Sequence, residues 1–164
     1  MVVALVLLAV FVAVACFVFR FPSHLRTIED VSMVPTIEQW QTVYVQDAEQ
    51  INASDVVMYK DLSGNIQFRR VIAVPGEWIG VTDDNQIALS NQAMAKGNIV
   101  QREGGDAVIA ACTQLPENTY FVLGDAESVT KKSLKDSDNF VLADQVEGRA
   151  TFKVWPLTNF GPIS

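Results

Sequence analysis

The sequence predicts an all-β domain, an antiparallel sheet folded into a coiled barrel, behind one N-terminal transmembrane helix. Three observations predict it. The first 19 residues carry no charged side chain, and the rest of the chain breaks into short β-branched and aromatic segments separated by turn residues. The periodicity of a long amphipathic helix is absent beyond the apolar run. Many short strands with turn signals between them are typical of barrels and folded sheets.

The N-terminal apolar run is long enough to span a bilayer. A helix of this length reaches ~28 Å at about 1.5 Å per residue, close to the thickness of the hydrocarbon core. Arg20 and Arg26 follow the run, and Pro22 ends the helix. We therefore expect residues 1–20 to be a single-pass anchor in contact with lipid. Residues 21–31 are then a juxtamembrane linker, and residues 32–164 form the folded domain.

Other interpretations of the apolar run remain open. A cleaved secretory signal would carry a positive n-region, which is absent here, and a shorter apolar stretch. Residues 13–16 resemble a lipoprotein cleavage box ending at Cys16, but apolar residues follow it where a polar linker would be expected. The positive charges lie on the C-terminal side of the run, which favours a cytoplasmic domain. The sequence alone leaves the orientation of the anchor open.

The strands follow from local composition in chain order. β-Branched and aromatic residues mark each of them, and the turn at residues 61–65 joins two of them into a hairpin that sets Val57 opposite Arg69. The predicted strands cover residues 42–45, 55–59, 66–74, 78–81, 86–89, 119–123 and 146–155. Residues 91–115 are predicted to be a loop with one variable strand.

Composition excludes several classes of function. The net charge is −7 and no Lys/Arg-rich patch is present, so nucleic acid is not an expected partner. His24 is the only histidine, and Cys16 and Cys112 are the only cysteines. These residues form no motif with metal-ligand spacing. We expect no metal and no cofactor.

Three separated segments carry the chemistry. The first is SMVPTI at residues 32–37, and the second is FRRVIAVPGE at residues 68–77. The third begins with YFVLGD at residues 120–125 and continues through Asp136-Ser137 to the WP pair at residues 155–156. In this order they resemble the type I signal peptidases, whose pattern runs SMxPT, KRVxxxPGD, GDN with DSR, and GK followed by WP. The resemblance extends from about residue 32 to residue 156.

The resemblance implies a serine endopeptidase of the cell membrane that removes signal peptides from secreted pre-proteins on the extracytoplasmic side. Ser32 stands at the position of the nucleophile, and Met33 and Pro35 match neighbours expected to contact substrate. A serine hydroxyl is a weak nucleophile that needs a neighbouring base. In the bacterial family this base is a lysine that burial keeps neutral, and in the eukaryotic and archaeal branch it is a histidine.

The sequence departs from the family pattern where the base should stand. Arg69 occupies that position, and a guanidinium offers only hydrogen-bond donors. Deprotonating it at pH 7 would cost roughly 8 kcal/mol. Asp30, two residues before Ser32, would oppose an oxyanion if it pointed inward. Where the family has DSR, this sequence has Asp136, Ser137 and Asp138, so an aspartate replaces the arginine. We expect Arg69 to pair with Asp30, Asp136 or Asp138.

No other residue is a convincing base. Lys60 is expected to be a solvated strand lysine, Lys131, Lys132 and Lys135 to lie in a charged loop, and His24 to lie near lipid headgroups.

Two functions therefore stay open. One is a signal peptidase that acts through Ser32 with impaired cleavage. The alternative is a non-proteolytic relative, a chaperone or accessory factor in pilus assembly that binds pilin subunits. An extended peptide can pair with a strand edge in either case. A self-cleaving repressor is disfavoured by the anchor and by the order of the segments.

Overall fold

Two antiparallel sheets form the folded part of the chain in a computed structural model. The structure describes residues 6, 9–11, 24–47, 49–101, 105–127 and 130–163. The strands are β1 (Leu25–Thr27), β2 (Thr42–Gln46), β3 (Val56–Lys60), β4 (Ile66–Ala73), β5 (Trp78–Thr82), β6 (Ile87–Ser90), β7 (Ile99–Val100), β8 (Ala107–Gln114), β9 (Thr119–Leu123), β10 (Phe140–Leu142), β11 (Val146–Trp155) and β12 (Gly161–Pro162). This architecture confirms the all-β prediction.

The larger sheet has eight strands, and its strands β4, β9 and β11 contain parts of the second and third sequence segments. Its order is β1-β2-β11-β3-β4-β9-β10, and β12 pairs with β11. The smaller sheet has four strands in the order β6-β5-β8-β7. The predicted hairpin is confirmed, because β3 and β4 pair with Val57 opposite Arg69. That register fixes the backbone position from which the Arg69 side chain extends.

The predicted anchor lies largely outside the described residues. Val6 and residues 9–11 are helical, and the side chains of Val6, Val10 and Phe11 are more than half exposed. Within the described ranges, no helix is long and apolar enough to cross a membrane. The transmembrane helix stays a prediction.

The segment around Ser32 is held to the larger sheet by its apolar neighbours. Ile28, Met33 and Ile37 are at most 1% exposed and pack with core residues of β2, β3, β4 and β11. Full burial of such a side chain contributes about 1.5–3 kcal/mol. The Ile37 backbone N–H also donates to the Met33 carbonyl at 2.9 Å. Ser32 is therefore carried on a loop whose flanks are fixed in the core.

The sheet begins earlier in the chain than the predicted domain boundary at residue 32. β1 lies within residues 21–31, which were predicted to be a linker, and pairs with β2. Ile28 follows it directly into the core. The predicted loop at residues 91–115 contains β7 and all of β8, the longest strand of the smaller sheet. These strands are short, or rich in alanine, so local composition marks them weakly.

Candidate active site

Ser32 and Arg69 are in direct contact. The Arg69 Nη1 atom lies 2.6 Å from the Ser32 Oγ atom and donates a hydrogen bond to it. The Ser32 hydroxyl in turn donates to Asp30 Oδ2 at 2.8 Å, and Arg69 Nη1 lies 3.1 Å from the same carboxylate oxygen. The residue at the base position therefore reaches the nucleophile position, and the expected pairing of Arg69 with Asp30 is present.

A second carboxylate holds the guanidinium from the other side. Glu127 Oε1 lies 3.6 Å from Arg69 Nε, and the Arg69 side chain is only 18% exposed. The Phe68 carbonyl accepts a further hydrogen bond from Nη1 at 2.8 Å. Sequence reasoning missed Glu127, which lies two residues after the YFVLGD part of the third segment, in a stretch where the family pattern gave no match.

Asp30 points inward to the site. Its Oδ2 atom accepts from both Ser32 and Arg69, whereas its Oδ1 atom is buried without a hydrogen-bond partner among the described groups. A buried carboxylate oxygen without a partner is unfavourable. The Arg69 guanidinium, paired with Asp30 at 3.1 Å, supplies a compensating positive charge.

The Ser32 hydroxyl is engaged both as a hydrogen-bond donor and as a hydrogen-bond acceptor. Its proton is directed to a carboxylate, and its oxygen accepts from a positively charged donor. A guanidinium has no lone pair with which to take a proton. Arg69 therefore cannot take the hydroxyl proton, and among the described residues no amine or imidazole hydrogen-bonds to Ser32 Oγ.

Three of the other basic residues considered from the sequence have partners away from Ser32. Lys60 forms an ion pair with Glu147, and Lys131 Nζ lies 3.4 Å from Asp83 Oδ1. His24 Nδ1 lies 3.1 Å from the Val45 carbonyl oxygen. In the part of the chain that the structure describes, the side chains that hydrogen-bond to Ser32 Oγ are those of Asp30 and Arg69.

The third segment packs directly against the backbone of Ser32. The Ala126 N–H donates to the Ser32 carbonyl at 2.9 Å. A Cβ atom on Gly124 would lie 2.6 Å from that carbonyl oxygen and 3.1 Å from the Ser32 Cβ. Only glycine allows this approach without displacing the loop. The glycine of the GD pair therefore sets the distance between the two segments.

Arg70 joins the three segments through Asp125 and Thr36. Its Nε and Nη2 atoms donate to the two Asp125 carboxylate oxygens at 2.8 and 2.7 Å, and Nη2 lies 3.2 Å from the Thr36 hydroxyl. Burial raises the pKa of Asp125, but hydrogen bonds from Arg70 and Thr36, with the Arg70 charge, outweigh it and lower that pKa below its usual value. This ion pair is bidentate and nearly buried.

The predicted supporting residues of the third segment lie across a groove from Arg69. Asp136, Ser137 and Asp138 are exposed and line the same groove as Arg69. Asp136 caps the turn that begins at Ser137, because its Oδ1 atom accepts from the Asp138 N–H at 3.3 Å. Of the three carboxylates expected to pair with Arg69, Asp30 is therefore the one in contact.

The two residues expected to contact substrate differ in exposure. Met33 is completely buried in the core beneath Ser32, so its side chain presents no surface to a peptide. Pro35 is exposed, and the Val34–Pro35 peptide bond is cis. The Met33 side chain therefore anchors the loop in the core, and Pro35 lies on the exposed surface of the loop.

Comparison with known proteins finds relatives of one kind. The chain is 26% identical to signal peptidase I of Bacillus caldolyticus over 93% of this chain and 89% of that protein. It is 25% identical to signal peptidase IB of Staphylococcus aureus over 82% and 78%, and 26% identical to signal peptidase I V of Bacillus subtilis over 60% and 67%. A family model described as signal peptidase, peptidase S26, matches residues 1–155. Because that match covers most of the chain and includes all three segments, the chain belongs to the signal peptidase family, peptidase S26.

Proposed function

We propose that this protein binds the extended cleavage region of secreted, signal-peptide-bearing pre-proteins at Ser32 and cuts it very slowly or not at all. Family membership supports the class of substrate. One observation carries the loss of cleavage, the 2.6 Å contact between Arg69 Nη1 and Ser32 Oγ.

The expected loss of cleavage rate is the contribution that a general base normally makes. Proton transfer by a positioned base contributes about 10²–10⁴-fold to such reactions. Arg69 cannot make this contribution, because a guanidinium stays protonated and has no acceptor atom. Asp30 adds a negative charge at the site, next to where charge would develop on the substrate carbonyl oxygen. Both effects slow acylation of Ser32.

Peptide binding does not depend on the missing base. β1 ends the larger sheet among the described strands and leads into the Asp30–Ser32 loop. An extended chain can add to such an edge through backbone hydrogen bonds. Gly124, Arg70 and Asp125, which stand at positions of the family motifs, hold the third segment against the loop, which supports an intact binding face.

The test measures binding and cleavage separately. The natural protein and Ser32→Ala are incubated in detergent with a labelled pre-protein. Binding is followed by fluorescence anisotropy and cleavage by gel, with an active signal peptidase as the positive control. We expect equal binding by the two proteins and, over the time in which the active signal peptidase completes its cleavage, an intact pre-protein in both. Cleavage by the natural protein at a rate close to that of the active enzyme, abolished by Ser32→Ala, would overturn the proposal, and so would the absence of binding.

A second candidate is a slow endopeptidase in which Asp30 takes the Ser32 proton. The 2.8 Å hydrogen bond from Ser32 Oγ to Asp30 Oδ2 favours it. A carboxylate is a much weaker base than a neutral amine, so the predicted rate is low. In this case Asp30→Asn would abolish a slow, Ser32-dependent cleavage. If Asp30→Asn left such cleavage unchanged, Asp30 would not be the base.

The pilus-assembly alternative requires a pilin as the bound chain. It shares the non-cleaving site with the main proposal and differs only in the identity of the partner. A pull-down with purified pilin and with an unrelated secreted pre-protein distinguishes them, since a pilus accessory factor retains the pilin alone.

A further inference from the structure

A groove of about 810 Å³ opens beside Arg69, and Ser32 is not among the residues that line it. One wall comes from β3 and β4 and includes Tyr59 and Gln67, and the opposite wall is the turn-rich segment that leads into β10. Arg69 joins the groove to the candidate active site, because its guanidinium contacts Ser32 and its side chain also lines the groove. A polypeptide bound at Ser32 can therefore extend into this space.

The lining of the groove is acidic. Asp61, Glu127, Asp136 and Asp138 supply four carboxylates against the two basic residues Arg69 and Lys132. Arg69 is already paired with Asp30 and Glu127, so its charge is largely compensated. A hydrogen bond from the backbone N–H of Asn65 is the main cause that lowers the pKa of Asp61. Because carboxylates outnumber basic side chains in its lining, the groove is complementary to a cation.

Tyr59 provides a polar group of a different kind. Its side chain packs in the core with Val57 and Val71 and is 5% exposed, yet it also lines the groove. Within the described chain, its hydroxyl has no hydrogen-bond partner. Burial is the largest cause that raises the pKa of Tyr59, and the carboxylates of Asp61, Asp138 and Glu127 raise it further against the opposing effect of Arg69. The phenol stays neutral and offers an acceptor oxygen.

We propose that this groove binds a lysine or arginine side chain of the polypeptide held at Ser32, with Asp136 and Asp138 as counter-ions and the Tyr59 oxygen as hydrogen-bond acceptor. The inference rests on the proposed function, since it names a feature of the same bound chain. Ammonium and guanidinium groups offer only donors, which matches carboxylates and an unpartnered phenol oxygen. The exposed carboxylates provide a salt-sensitive attraction.

The test uses the full chain in detergent and a set of labelled peptides that span the end of a signal sequence and the following residues. One lysine is moved through successive positions, and each peptide has a glutamine twin. Anisotropy is measured for the natural protein, for Asp136→Asn/Asp138→Asn and for Tyr59→Phe. Asparagine at residue 136 keeps a capping side chain at that turn. Asp106→Asn is the matched control, because Asp106 is exposed at the start of β8 and does not line the groove.

We expect one lysine position to bind about threefold to fivefold more tightly than its glutamine twin, the size of a solvent-exposed charge pair. The preference should vanish in Asp136→Asn/Asp138→Asn and at high salt, fall in Tyr59→Phe and persist in Asp106→Asn. Equal binding of all twins would overturn this inference and leave the proposed function standing. Failure of every peptide to bind would overturn both, and a preference retained in Asp136→Asn/Asp138→Asn would place the cation elsewhere.

Discussion

The Arg69 guanidinium lies between a serine hydroxyl and two carboxylates, Asp30 and Glu127. The sequence resemblance implies that, in active members of the family, a neutral lysine takes the serine proton from this position. Lysine alone would not restore that chemistry here, because the same carboxylates would keep its ammonium protonated. The site therefore differs from an active one in its charge balance as well as in the identity of one side chain.

Gly124 allows a test of how closely the third segment must approach Ser32. A Cβ atom at this position would lie 2.6 Å from the Ser32 carbonyl oxygen, so we expect Gly124→Ala to cost about 1–3 kcal/mol in the free energy of unfolding, as overpacking does. Pre-protein binding should weaken as well, since the loop must move. Urea unfolding and anisotropy measure the two effects.

Gly161→Ala is the matched control. A Cβ atom at residue 161 would meet nothing within 4 Å, so this variant should unfold and bind like the natural protein. Equal stability of Gly124→Ala and Gly161→Ala would show that the close contact with Ser32 is not required.

At the residue scale, the sequence predicts contacts made within the recognised segments and misses those made outside them. The contact of Arg69 with Asp30 is predictable, because the two side chains have opposite charges. Arg69 stands in the second segment at the position expected to face Ser32, and Asp30 lies two residues before Ser32. Glu127 lies just beyond the GD pair, and only the turn that returns it toward Gly124 brings it to Arg69. No local pattern marks such a contact.

The link between β4 and the loop after β9 depends on Arg70 and Asp125. Both side chains are less than one-fifth exposed. Breaking a buried pair by removing one charge costs about 3–5 kcal/mol. We expect Asp125→Asn to lower the free energy of unfolding at pH 7 by an amount in the lower part of that range, as measured by urea unfolding. Glu147→Gln should lose at most about 1 kcal/mol, because its pair with Lys60 is more exposed.

The pH dependence of this pair has a defined sign. The folded state lowers the pKa of Asp125, so the ionised carboxylate stabilises the fold above the unfolded-state pKa of about 3.9. That contribution is lost as the pH falls below about 4 through the lower, folded-state pKa. The stability of Asp125→Asn should therefore fall less between pH 5 and pH 2 than that of the natural protein, and parallel curves would contradict the assignment.

At the element scale, strands rich in β-branched and aromatic residues are predictable, and strands defined by their partners are not. β3, β4 and β9 follow from their composition, and the turn at residues 61–65 fixes the register of the first two. β1 has three residues and is a strand because β2 pairs with it. β10 has three residues and β12 has two, and their strand identity likewise depends on neighbours in the sheet.

At the scale of the whole molecule, truncation tests where the folded domain begins and what residues 1–20 do. A chain that starts at Phe21 should leave the membrane fraction and keep the unfolding midpoint of the full chain. A chain that starts at Ser32 also lacks β1 and the buried Ile28, so it should lose at least about 1.5–3 kcal/mol. Flotation with vesicles and urea unfolding measure these effects. Equal stability of the two truncated chains would place the boundary at residue 32, and a Phe21 chain that stays with the vesicles would contradict the anchor.

If the charges around Ser32 are what prevent cleavage on this scaffold, then changing those charges should restore it. Single-turnover cleavage of a pre-protein is measured for the natural protein, Arg69→Lys, Arg69→Lys/Asp30→Ser and Arg69→Lys/Asp30→Ser/Ser32→Ala. We expect Arg69→Lys/Asp30→Ser to cleave about 10²-fold or more faster than the natural protein, the contribution of a general base. Arg69→Lys alone should gain little, and the added Ser32→Ala should abolish the gain. Rapid cleavage by the natural protein, lost when Ser32 is replaced, would show that these charges do not block the reaction.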